Sequence, residues 1–185
     1  QLAPLAMPLS ERVFVFPTLP TATFRRLPAM IADSLPDTFG NAVVDAALAR
    51  EGVGREAVTP LDRLAYMGRR GVGALEYRPA RGPVARTPTT VQVGQLVEAA
   101  RSLVRGGLAD DRDTQAALAN LIAVGTSAGG ARAKAVIAWN PATDELRSGQ
   151  LDVPAGFEHW LLKLDGVGAD LELGTGSEYG RIEYA

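Results

Sequence analysis

Apolar residues recur at helical spacing in three stretches of the chain. After Pro36 and Asp37 come Phe39, Val43, Val44, Ala47 and Leu48, with Gly52 and Gly54 as the stop. Thr59-Pro60 supplies a cap with proline in the first turn, Asp62 adds an acid to that turn, and the helix is predicted to run to Met67 with Gly68 closing it. Val93, Leu96, Val97, Ala100, Leu103 and Val104 form the cleanest stripe, ended by Gly106-Gly107. Weaker helical signals begin near Thr21, and a further helix is predicted over 113–123 with Ala117, Leu118, Leu121 and Ile122 as its apolar face. Short strands are predicted at Val13–Phe16 and Ala74–Tyr77. The proline- and glycine-rich stretch 79–90 reads as a linker.

Beyond residue 124 the pattern changes period. Gly125–Gly130 is a run of small residues. Lys134–Trp139 is rich in Val, Ile and Trp and reads as a strand; Asn140–Asp144 reads as a turn; Glu145–Gln150 returns as a second strand. A third strand covers Phe157–Leu164. Its alternation puts His159, Leu161 and Lys163 on one face and Trp160, Leu162 and Leu164 on the other. Residues 165–177 read as a loop, and Tyr179–Ala185 as a helix just begun. The predicted class is α+β: a mostly helical part over 1–108, then a small antiparallel sheet over 109–185. The chain begins with Gln1, and both ends read as cut.

Composition removes several function classes. There is no cysteine, so disulfides, thiolate metal sites and cysteine nucleophiles are excluded. His159 is the single histidine, which excludes a histidine cluster. Nineteen basic against 21 acidic residues give a net charge of −2, which disfavours nucleic-acid binding as the chain's own activity. No apolar run approaches the length of a membrane span, and no signal peptide is read at the start; a cytoplasmic location is the default. Asp33 and Asp37 are read as helix caps, not as a catalytic carboxylate pair. Arg69-Arg70 is read as a solvated loop.

One constellation carries chemistry: the small-residue loop, then Lys163 on a strand, then the acid Glu183 in the nascent helix. Glycines let backbone N–H groups approach a phosphate, and an anchored lysine balances its charge. The loop is not a Walker A motif, because Ala131 and Arg132 stand where Lys-Ser/Thr would be needed, and it is not G-x-G-x-x-G.

The segment Val124–Ile137 resembles the Ser-x-x-Gly-x-x-x-Lys loop of HipA-family serine/threonine kinases. Trp160–Leu164 resembles that family's lysine-bearing strand, and Arg181–Ala185 the start of the helix that follows. Upstream, Ala32–Asn41 is similar to its D-x-L-P-D segment, and Pro60–Leu75 to the unit ending in G-x-G-A-L. The resemblance implies a HipA-like N-terminal subdomain over 1–108 and a kinase N-lobe-like subdomain over 109–185. It implies nucleotide binding by Ser127, Gly129, Gly130, Ala131, Lys134 and Lys163, with Glu183 as ion-pair partner of Lys163, and autophosphorylation at Ser127. ATP and Mg²⁺ would be the cofactors, and a HipB-like DNA-binding antitoxin the partner. Arg132 and Ala133 depart from the family's loop. The family's catalytic Asp, metal-binding Asp and adenine hinge have no counterpart in the sequence, so the chain by itself is expected not to turn over. The alternative is a non-catalytic module that docks the antitoxin.

Overall fold

The computed structural model describes residues 7, 8, 10–71, 73–83, 90–104, 118–122, 133–150, 152–164 and 167. The architecture is α+β: helices through the N-terminal part, then a three-stranded antiparallel sheet. The helices are α1 (Thr21–Phe24), α2 (Ala29–Ala32), α3 (Thr38–Arg50), α4 (Pro60–Met67) and α5 (Val93–Val104), with a 3₁₀ turn at Arg55–Ala57. Residues 118–122 are helical as well. The strands are β1 (Lys134–Asn140), β2 (Glu145–Ser148) and β3 (Glu158–Lys163), in the order β2-β1-β3.

The three long helices form where local signals predicted them. Asp37 caps α3 by accepting a hydrogen bond from the Gly40 amide at 2.8 Å. Phe39, Val43, Val44 and Ala47 then face inward. Thr59 and Asp62 make a reciprocal capping box on α4, with Pro60 in the first turn. Gly68 closes α4 at a φ of +55°, and a β-carbon there would meet the Ala80 methyl at 2.6 Å. Asp45 on α3 holds its neighbours, pairing with Arg63 of α4 at 2.7 Å and with Arg55 of the 3₁₀ turn at 3.2 Å.

The capping box makes a direct prediction. Thr59→Ala is expected to cost about 1 kcal/mol, as loss of a helix N-cap does. Hydrogen bonds from Thr59 hold the Asp62 carboxyl below the usual carboxylate range. A lowered folded-state pKa gives stability that is complete above about pH 4 and is lost as pH falls through the lowered value. The difference in Tm between wild type and Thr59→Ala should therefore be constant near neutrality and shrink in acid.

Two predicted strands do not form. Val13–Phe16 has no regular secondary structure and pairs with no strand among the described residues; Val13 and Val15 are 82% and 75% exposed, and the Phe14 and Phe16 rings stack at 6.5 Å. Ala74–Tyr77 carries one backbone bond, from the Tyr77 amide to the Gly68 carbonyl, and no ladder. Both segments have strand-forming side chains, but a strand needs a partner's N–H and C=O groups. Thr90, at the end of the predicted linker, bridges to Arg147 on the outer edge of β2.

The hairpin is set by its turn. The Asn140 carboxamide oxygen accepts from the Ala142 amide at 3.0 Å and from Thr143, while Asp144 sits at a φ of +57° and accepts from the Trp139 indole. One hydrophobic cluster joins the helices to the sheet. It takes in Phe39 and Val43 of α3, Leu96, Ala100 and Leu103 of α5, Leu118 and Leu121, then Ala135 and Ile137 of β1 and Leu164. The alternation predicted for β3 agrees with this, because Leu162 and Leu164 pack on the core side.

The predicted subdomain boundary at 108/109, most of the predicted linker after Pro83 and the glycine loop 125–130 lie outside the described residues. So do residues 113–117 and 123 of the predicted fourth helix, the loop 165–177 apart from Val167, and the C-terminal helix. No helix among the described residues is long and apolar enough to cross a membrane.

Candidate functional site

Of the predicted site residues, Lys134 and Lys163 are described; Ser127, Gly129, Gly130, Ala131 and Glu183 lie outside the described residues. The two lysines come from separate segments, and the sheet brings them together. β1 and β3 pair antiparallel with Lys134 opposite Lys163, Val136 opposite Leu161 and Ala138 opposite His159. Residues directly opposite in an antiparallel pair present their side chains to the same face. That face therefore carries Lys134, Lys163 and His159, as the alternation of β3 predicted for the last two.

Their environments differ. Lys163 is exposed, at the C-terminal end of β3, a strand on the sheet's edge. Lys134 is not a surface charge: it is 8% exposed, with its ammonium 3.7 Å from Asp37 Oδ2. The Asp37 side chain is itself only 6% exposed. Asp37 thus works with both oxygens, Oδ1 capping α3 and Oδ2 facing Lys134. At this separation the attraction is ionic and not a hydrogen bond. Sequence reasoning found the cap and missed the second role, since nothing local links residue 37 to residue 134.

The sheet's third cation on this face, Arg147, opposite Ala138, pairs with Glu145 at 2.8 Å and lies over the Phe157 ring. Trp139 and Trp160 meet edge to face on the opposite side, 6.3 Å between centroids. Among the described residues no group of three or more His, Asp or Glu side chains could hold a metal ion.

A cleft of about 630 Å³ opens away from the lysines. Tyr66 and Met67 of α4, Arg70, Ile122 and His159 are among its walls. His159 and Lys163 are four residues apart on β3, which at strand rise is about 14 Å, so the cleft and the lysine pair are separate places. Arg70 is not the solvated loop residue the sequence suggested. It is part-buried, donating to the Tyr66 carbonyl at 2.7 Å and to the Ile122 carbonyl at 3.1 Å. Its neighbour Arg69 is exposed and pairs with Glu76 at 3.3 Å.

Comparison with known proteins adds one observation. Residues 1–78 match the family model of the HipA N-terminal domain. The match agrees with the resemblance to the HipA family carried by Ala32–Asn41 and Pro60–Leu75. No curated protein and no solved structure matches the chain. The matched segment includes α1 to α4 and hence Asp37. The Asp37–Lys134 pair therefore links the matched segment to the sheet beyond it.

Proposed function

We propose that this chain is the nucleotide-binding, N-terminal part of a HipA-like serine/threonine protein kinase. The observation that carries this reading is the register of β1 and β3, which sets Lys134 directly opposite Lys163. In this reading Lys163 contacts the nucleotide phosphates and Glu183 is its ion-pair partner. Lys134, held by Asp37, fixes the end of the segment that contains Ser127, Gly129, Gly130 and Ala131. Small residues there let backbone N–H groups reach the phosphates, and Ser127 is the autophosphorylation candidate. ATP would be taken with Mg²⁺, which neutralises charge on the phosphates when bound.

Lys163→Ala tests the reading. Lys163 is exposed on an edge strand, so its removal should leave Tm within about 2 °C of wild type. A charged hydrogen bond to phosphate is worth about 1.5–3 kcal/mol, so the affinity for a fluorescent ATP analogue with Mg²⁺ should fall roughly 10- to 100-fold. Equal affinity in the two proteins would remove Lys163 from the site.

A second reading makes the chain a docking module for a HipB-like DNA-binding antitoxin. The exposed apolar pair Val13 and Val15, within the segment that matches the HipA N-terminal domain, favours it. The two readings are compatible, and titration with the antitoxin of a HipA-type system separates them from docking alone: docking without any nucleotide binding would leave only the second.

A further inference from the structure

Arg70 is a cation in the wall of a largely apolar cleft, with no carboxylate paired to it. Among the described residues no Asp or Glu pairs with it. Its guanidinium lies over the Tyr66 ring, 5.0 Å from the centroid, and donates to the Tyr66 and Ile122 carbonyls. A guanidinium has five N–H groups, so three remain to be satisfied. Burial also pushes its pKa down, with Tyr66 opposing, which reflects the cost of holding this charge away from water. Carbonyl dipoles offset part of that cost, and an anion in the cleft would offset the rest.

The surroundings hold this group in place. A β-carbon on Gly82 would collide with the Tyr66 carbonyl and with an Arg70 guanidinium nitrogen, so the chain passes here only as glycine. Met67, Pro83 and Ile122 line the cleft with apolar surface, and its volume of about 630 Å³ lies within the range that encloses small organic ligands. Asp152 and Arg69 also line the cleft, and Arg69 is already paired with Glu76. An acid in the wall opposes a polyanion such as a nucleotide triphosphate and leaves Arg70 able to balance one negative charge.

We infer that this cleft binds a small monocarboxylic acid, its apolar body against Met67, Pro83 and Ile122 and its carboxylate on the Arg70 fork. The planar guanidinium suits a bidentate carboxylate, and the apolar walls supply the burial. The site is distinct from the lysine face, and the inference stands whether or not nucleotide binds there.

The single histidine makes the test simple, because His159 lines the cleft and gives the only imidazole proton signals in the spectrum. Titration of the whole chain with 2-naphthoate should shift those signals saturably. The neutral 2-naphthamide should bind at least 10-fold more weakly. Arg70→Gln should abolish the preference for the acid. Asp152→Asn, at an exposed position, should tighten naphthoate binding about 2- to 5-fold, and it keeps the test open if Arg70→Gln does not fold. Equal binding of acid and amide by the wild-type chain, or no shift of His159 with either, would overturn the inference.

Discussion

Asp37→Asn is expected to destabilise the protein by about 3 kcal/mol, the cost typical of removing one partner from a buried ion pair. Asparagine caps a helix as well as aspartate does, so α3 keeps its bond from the Gly40 amide. What the substitution removes is the charge facing Lys134, whose side chain is 8% exposed. Lys134→Met removes the other half and should cost a similar amount by leaving the Asp37 carboxylate buried beside an apolar chain. For a chain of this size each should lower Tm by roughly 6–12 °C. The double variant should lose clearly less than the sum, because neither charge is then stranded. Single losses below about 1 kcal/mol, or simple additivity, would mean that the pair does not hold α3 to the sheet.

Leu96→Ala should cost about 3–4 kcal/mol in urea unfolding. Leu96 is fully buried in the cluster that joins α3 and α5 to β1, so little of the cavity can be refilled from outside. The same cluster spans the helices and the sheet, so unfolding followed by tryptophan fluorescence should coincide with unfolding followed by far-ultraviolet circular dichroism. Trp139 and Trp160 both report on the sheet, while α3, α4 and α5 dominate the dichroism. Two separate transitions would show that the helical part and the sheet do not melt as one unit.

What was legible in the sequence was local. Thr59, Pro60 and Asp62 fix the start of α4 within a single turn of chain, and the stripe from Val93 to Leu103 fixes the inward face of α5. β1 and β3 were placed within two residues by their Val, Ile, Leu and Trp content and by alternation. Val13–Phe16 and Ala74–Tyr77 carry the same content and stay unpaired, because pairing depends on another segment arriving alongside. The candidate site divides in the same way. Lys163 was found from its place on a strand and Lys134 from the resemblance of its loop, but alternation gives a face and not a depth. It could not tell that Lys134 is buried against Asp37 while Lys163 is exposed. Arg70 reads as a loop charge between two glycines until α4 and residues 118–122 converge and offer it two carbonyls.

The most direct test of nucleotide binding is a titration of the isotopically labelled chain with ATP·Mg²⁺, followed by backbone amide shifts. The expected result is saturable shifts at Lys134, Lys163 and the segment 125–133, with His159 and Arg70 little affected. No saturable shift at all, or shifts confined to the cleft around Tyr66 and Arg70, would contradict nucleotide binding at the lysine face and leave antitoxin docking as the better account of residues 1–78.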